Sequence, residues 1–522
     1  MKLHFTALCI VLCICSAKLI SQPAVGSQKV AGGDLDDKFS CMALTADGGV
    51  VEGGSSSSGA SGDKTDTSRG LTDYWIVKFD ANGKKQWDKT IGGSDYDFLV
   101  SIDQTNDGGY ILGGFSYSNK SGEKSENTIG FPDFWIVKLD KNHNIQWDKT
   151  VGISNESYSR NFFKSLVQTH DGGFLLAGVL YGDDEGSAPF LLIKLDANGN
   201  VKFDTTLVGY ALNAVIQQTD DKGYLLAGSN YNYGLSEVYY TATKFDRVGR
   251  MQWSKNYEVA DGHTSYLTAV VQTHGTYLLC GYSDANAVGI KSENSRGGYD
   301  YWLLQIDKAG NAVNDKTIGG SGYDYLRSVE ATDDGGLILG GYSTSNRSGE
   351  KTEDNRGGGG FIDNDYWIVK LNANAKIEWD KTIGGSANDF LYGIKEVTAN
   401  KYLGGGYSNS EVSGDKTKPS EGGNDYWSVV LNSSPKTSVS TAADDDIHAK
   451  GSNFSVFPNP AINTLSVTCS GTVVFTLTDQ SGKMMLQATI TNSGTINVSR
   501  LRSGVYFLRA PSGETKQVVI RK

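Results

Sequence analysis

Eight residues, Asp73-Tyr74-Trp75-Ile76-Val77-Lys78-Phe79-Asp80, constrain this chain more than any other feature, because the pattern keeps returning. It recurs as DFWIVKLD at 133–140, PFLLIKLD at 189–196, YYTATKFD at 239–246, DYWLLQID at 300–307, DYWIVKLN at 365–372 and DYWSVVLN at 425–432, seven copies in all. A period of about 50 to 65 residues belongs to units that cannot bury a core alone and must stack on their neighbours. Within the clearest unit the segment at 99–105 ends in Asp107-Gly108-Gly109, and 110–115 follows with a Gly-Gly pair. The eight-residue segment alternates with period two, which marks a strand. Asp80-Ala81-Asn82-Gly83 then supplies a tight turn before Gln86–Ile91. Each unit is therefore four antiparallel strands, a to d.

The two ends of the repeat array are complementary. The last strand c, 425–432, has no Trp-Asp-Lys-Thr strand after it, while Gln28-Lys29-Val30-Ala31-Gly32-Gly33 aligns with a strand d and has no strand c before it. The N-terminal strand is expected to complete the last unit, close the ring and remove a free sheet edge. The fold expected for 28–432 is a seven-bladed β-propeller in an all-β chain. Gly at 65 residues, Tyr at 27 and Pro at only 8 suit many short strands and tight turns.

The termini carry other signals. Lys2 leads an apolar run, so 1–21 is expected to be a cleaved signal peptide. Cys9, Cys13 and Cys15 follow Leu8, Leu12 and Ile14 instead of a small residue, which argues against lipid attachment. No later apolar stretch reaches the ~18 residues of a membrane helix. A formal net charge of −11 offers no basic surface for nucleic acid or anionic lipid. Cys41, Cys280 and Cys469 are far apart in sequence and read as small buried apolar residues.

Residues 433–452 are polar and read as a linker. Beyond it the pattern changes: Pro458-Asn459-Pro460 follows an apolar start, Asp479-Gln480-Ser481-Gly482-Lys483 makes a turn, and Gly504-Val505-Tyr506 opens a strand before the basic end at Arg521-Lys522. Residues 453–522 thereby resemble the C-terminal sorting domain of the type IX secretion system of Bacteroidota (the Por-secretion tail). The resemblance implies a small immunoglobulin-like β-sandwich, export by the type IX machinery and a secreted or cell-surface location. It makes Pro458, Asn459, Pro460, Gly482, Gly504, Tyr506 and Lys522 the sorting-motif positions. The repeats are similar to those of uncharacterised surface proteins of the same bacteria.

Chemistry is sparse. The six His fall in the signal, the linker or turns of separate units, and form neither a triad nor a metal set. All nine Trp fall in two repeat slots, strand c and the start of strand d. They are expected to pack between sheets, leaving no Trp for a sugar-stacking groove. An acidic slot ten residues before the a–b turn holds Asp37, Asp97, Asp324 and Asp389, with Asn161, Ala211 and Thr264 in the other units. At a channel mouth these carboxylates would bind Ca²⁺ or a cationic ligand; otherwise they bond their own turns. No other cofactor is indicated. Five long b–c loops share one face with that slot, and the Ser-Gly-Asp/Glu-Lys motif within them is expected to be solvated. Units three and four have only ten residues there, 179–188 and 229–238, which lowers one side of the face. The expected function is non-enzymatic binding or adhesion to a glycan or an envelope protein. The alternative is a glycan hydrolase or lyase with paired carboxylates at the mouth.

Overall fold

The computed structural model describes residues 22–152, 160–181, 188–259, 262–273, 275–357, 363–433, 454–457, 464–479, 483–510 and 515–520. The signal segment, nearly all of the linker, and Pro458, Asn459, Pro460, Gly482 and Lys522 lie outside them. The chain divides into two compact units, 1–436 and 437–522.

The first unit holds seven four-stranded antiparallel sheets, numbered here in chain order. In sheet 2, strand a is Asp97–Gln104, b is Tyr110–Ser116, c is Asp133–Leu139 and d is Ile145–Val151. Sheet 7 takes its fourth strand from the N-terminus: Ala24–Ala31 pairs antiparallel with Asp425–Asn432, Val30 opposite Trp427. The sequence alignment is explained at one residue. In sheets 1, 2, 5 and 6 the strand c Trp donates its indole N–H to a strand d Asp, as Trp75 does to Asp88 at 3.1 Å. In sheet 7 Trp427 donates instead to Gln28 at 3.2 Å, and Gln28 stands where the other units have Asp.

Two recurring contacts explain why the motif is DYW…K. The strand c Lys runs back under the a–b turn, where Lys78 meets Asp47 at 3.0 Å, and the same pair recurs in sheets 2, 3, 4 and 6. That turn needs a left-handed residue, supplied by Gly108 at φ 80° in sheet 2. The Tyr reaches the next sheet: Tyr74 Oη donates to the Trp135 carbonyl at 3.0 Å with the rings 4.9 Å apart. Gly114 makes room for it, since a Cβ there would sit 2.0 Å from the Phe98 carbonyl and 2.4 Å from Tyr74 Oη. The interlock also joins last to first. Tyr426 donates to the Trp75 carbonyl at 2.9 Å, and Phe39, Trp75, Leu403 and Tyr426 share one buried cluster. The five strand c Trp are fully buried between sheets, as their single repeat slot implied.

The second unit is one sheet of five strands, ordered Ser455–Phe457, Thr464–Asp479, Gly504–Arg509, Thr515–Ile520, with Met484–Asn497 also paired to the long Thr464–Asp479 strand. Its core buries Phe454, Phe475, Leu477, Leu508 and Val518 among others. Among the described residues no helix is long and apolar enough to cross a membrane.

Candidate functional site

The acidic slot lies beneath the face, not on it. Asp37, Asp97, Asp324 and Asp389 open strand a of sheets 1, 2, 6 and 7 and have no exposed surface. Each accepts a glycine N–H of the preceding d–a turn, as Asp97 does from Gly93 at 2.6 Å, and each accepts a serine hydroxyl. Each carboxylate therefore bonds its own turn, with its side chain buried below the face. In sheet 5 the slot is Ser265, which faces Ser283 as Asp324 faces Ser343; Thr264 precedes it by one residue because the a–b turn of that sheet is shorter.

The slot pairs across sheets. The backbone N–H of Asp97 bonds to the carbonyl of Thr72, the residue before Asp73 at the head of strand c. The same frame sets Asp324 beside Asp300, Asp389 beside Asp365 and Asp37 beside Asp425. At the sheet 2–3 junction the frame holds Asn161 and Asp133, and there the amide donates to the carboxylate at 2.8 Å. Burial pushes Asp97, Asp389 and Asp425 up to about 6 and Asp300 and Asp365 up to about 7. Repulsion from the paired carboxylate adds to the rise at Asp97, Asp300, Asp365 and Asp425. The loop lysines expected in solvent are buried here as well: Lys64, Lys124, Lys291, Lys351 and Lys416 fold under their own b–c loops, Lys64 donating to the Ser58 carbonyl at 2.8 Å. Among the described residues no three His, Cys, Asp or Glu side chains converge to hold a metal ion.

Above this belt lies a feature built from Tyr and Phe instead of Trp. Tyr and Phe from strands a and b and the adjoining loops touch ring to ring in two arcs around the b–c end of the sheets, edge to face at the junctions between sheets. One arc runs from Tyr96 through Phe115 and Phe162 to Tyr181, Tyr210 and Tyr233; the junctions between sheets are 5.2 Å at Phe115–Phe162 and 6.4 Å at Tyr181–Tyr210. The second runs from Tyr266 through Tyr282 and Tyr325 to Tyr342 and Phe390, with junctions of 5.1 and 4.9 Å. Sheet 1 interrupts the collar, with Lys38 and Ser55 at the matching positions. The rings are reachable: Tyr96 is 43 % exposed, Tyr323 49 %, Phe131 52 % and Tyr233 55 %.

The long loops border the collar and are clipped to one another. Arg69 meets Glu123 of the next loop, Arg296 meets Glu350 and Arg356 meets Asp415, each at 2.8 Å. In sheet 4 the short connection is a continuation of the hairpin. Strands Tyr224–Asn232 and Glu237–Phe245 extend into the supposed loop and leave only 233–236 between them. In sheet 3, residues 182–187 are outside the described set.

Every strand a carries a β-bulge, just past the third residue from the slot in six sheets and directly after Ala211 in sheet 4. The bulged residue differs in every unit: Ser40, Val100, Lys164, Leu212, Thr268, Arg327 and Tyr392. Bulges re-aim side chains, commonly beside functional sites. Deeper in, a cavity of about 340 Å³ is lined from strands a by Met42, Ser101, Asp103, Leu166, Glu330 and Lys395. Its walls desolvate Asp103 and Glu330 and raise both carboxyls, while Lys395 lies 3.7 Å from Glu330.

In the second unit Gly504 is exposed at the head of its strand, and Tyr506 is buried with its hydroxyl donating to the Arg502 carbonyl at 2.9 Å.

Residues 455–521 match the secretion system C-terminal sorting domain. No curated protein matches the chain. Among solved structures the chain is similar to a protein of unknown function from Bacteroides caccae (12 % identity, 70 % of this chain and 94 % of that one, TM-score 0.34). It is also similar to the Pan2 WD40 domain of Neurospora crassa (10 %, 78 % and 90 %, TM-score 0.38) and to the polysaccharide lyase Uly1 (10 %, 77 % and 90 %, TM-score 0.41). The sorting domain directs the chain outward, to the outer cell surface or the medium.

Proposed function

We propose, with export through the C-terminal sorting domain as the premise, that this is a secreted or surface-displayed seven-bladed β-propeller that binds glycans without modifying them. The aromatic collar carries this reading. Half-exposed Tyr and Phe rings present flat apolar faces, and the loops around them are rich in Ser, Asn, Lys and carboxylates. A pyranose has the same division, an apolar C–H face edged by hydroxyls, and Tyr offers a ring and a polar tip together. Buried structural carboxylates, clipped loops and a rigid ring describe a display scaffold. In the same reading residues 453–522 engage the type IX machinery and fold as a small β-sandwich, the long Thr464–Asp479 strand serving one layer with its first half and the other with its last residues.

The hydrolase or lyase alternative draws on Asp103 and Glu330, two carboxyls raised within one cavity. It is the weaker reading, because the Lys395 ammonium beside Glu330 favours the charged form and works against a proton donor. The test is a glycan array with the intact protein and a variant carrying Tyr96→Ser, Tyr233→Ser and Tyr323→Ser. Each lost ring contact is worth about 0.5–1.5 kcal/mol, so binding falls roughly tenfold or more. Unchanged binding in the triple variant removes the collar as the site. Chain shortening of any bound glycan, abolished by Asp103→Asn, establishes the enzymatic reading instead.

A further inference from the structure

We propose that Arg327 is the anion receptor of the collar and that the ligand is an acidic glycan, its carboxylate or sulfate seated on the guanidinium. The inference rests on the glycan-binding reading and narrows it to a class of sugar.

Arg327 is the bulged residue of sheet 6, between Leu326 and Ser328. Residues beside the bulge repeat along the chain, with a buried Leu or Phe before it in six of the seven sheets, whereas the bulged residue itself is never the same twice. A position that varies inside an otherwise repeated frame is free of the packing that fixes its neighbours, and a bulge turns it toward the strand edge. The guanidinium carbon lies 5.0 Å from the Tyr342 ring centre, 5.4 Å from Tyr392 and 5.9 Å from Tyr282, rings that come from its own sheet and the sheets on both sides. One of its terminal nitrogens donates to the Tyr342 hydroxyl. It is thus held among the collar aromatics, not beside a carboxylate.

Its charge is unanswered. Among the described residues Arg327 makes no ion pair, and its Nε is buried without a hydrogen-bond partner. The loop arginines Arg69, Arg296 and Arg356 all pair with carboxylates, in a chain whose net charge is −11. A desolvated cation left unpaired in an acidic protein is costly unless a ligand supplies the anion. The planar fork of Arg accepts a carboxylate or sulfate through two parallel N–H···O bonds, with the sugar ring lying on the neighbouring Tyr faces. Lys164, the bulged residue of sheet 3, is a second cation without an ion pair among the described residues.

The experiment uses the intact secreted protein and three polymers: polygalacturonate for carboxylate, dextran sulfate for sulfate and dextran as the neutral control. Binding is followed by affinity electrophoresis and calorimetry for the native protein, Arg327→Gln and Arg327→Lys. At least one acidic polymer is retained tenfold or more above dextran, the preference fades with added salt, and whichever polymer is retained identifies the anion. Arg327→Gln brings acidic binding down to the dextran level, Arg327→Lys retains part of it, and dextran binding stays the same in both. Equal retention of acidic and neutral polymers, or an acidic preference that survives Arg327→Gln, overturns the receptor and leaves the glycan reading standing. If Arg327→Gln does not fold, a salt-insensitive acidic interaction in the native protein overturns it. Retention of none of the three, together with an empty glycan array, overturns both.

Discussion

Where Asn161 faces Asp133, an amide proton fills the space between two buried side chains. In the same backbone frame four Asp–Asp pairs have no such donor, and Asp37, Asp97, Asp300, Asp324, Asp365, Asp389 and Asp425 each keep one buried oxygen without a partner. One proton shared within each pair would do there what the Asn161 amide does for Asp133. The sign of the pH effect follows. Burial raises Asp97, Asp389 and Asp425 to about 6 and Asp300 and Asp365 to about 7, above the usual value near 4, so the folded chain holds protons that the unfolded chain releases. Their contribution is complete below about pH 4 and is lost as pH rises through 6 to 7. Each pair forfeits on the order of 2–3 kcal/mol. Asp47, Asp107, Asp171 and Asp221, held down to about 2, act only at lower pH. The urea midpoint is therefore expected to be lower at pH 8 than at pH 5. Asp97→Asn, a copy of Asn161, raises the unfolding free energy by about 1–3 kcal/mol at pH 8 and little at pH 5. Equal midpoints at the two pH values in the native protein refute the shared proton.

Among the elements, the N-terminal strand carries the clearest consequence. Besides its bond with Trp427, Gln28 donates to the Asp415 carbonyl at 2.5 Å and accepts from the Thr417 N–H, so one amide ties the strand to the last b–c loop. Lys29 lies 4.1 Å above the Phe79 ring and binds the strand to sheet 1 as well. Gln28→Ala is expected to cost about 1–3 kcal/mol in thermal or urea unfolding of the first unit. Deletion of 22–31 exposes the Asp425–Asn432 edge and should bring aggregation. A melt unchanged in Gln28→Ala would show that the strand does not close the sheet. This strand was legible in the sequence because its Gly-Gly and the spacing before it copy strand d, and the Trp slot was legible because one large residue recurred at one position. The collar was not. Its members alternate between Tyr and Phe, come from three places in each unit and disappear from sheet 1, so no single repeated letter marks it. The aromatic residue just after the acidic slot, as in Phe98, Phe162, Tyr266, Tyr325 and Phe390, was the available signal. The buried Lys of the b–c loops was missed for a different reason. A Lys next to Asp or Glu in a polar loop reads as solvated, and only the carboxylate belt below it gives burial a cause.

At the scale of the whole chain, repetition and departure from it separate scaffold from site. The Tyr–Trp interlock, the turn lysine and the carboxylate belt recur, and they hold sheets together. The bulged residue, the collar gap at sheet 1 and the short Tyr224–Phe245 hairpin do not recur, and they shape the exposed face. The two units have separate cores, so removing 453–522 is expected to leave the melting temperature of the first unit within a few degrees of the full chain. The same deletion should leave folded protein in the periplasm; cell-surface labelling equal to the full chain would contradict it.

The bond between Gln28 and Trp427 spans 399 residues. The strand at 24–31 thus has a partner that is made only after every sheet between them. Closing so long a loop costs about 5 kcal/mol of chain entropy, repaid only when the seam of sheet 7 zips and Tyr426 reaches Trp75 together. A nascent chain that stops anywhere before residue 425 can stack sheets but cannot lock them, so the ring is a built-in proofreading step: only a complete set of repeats becomes a durable molecule.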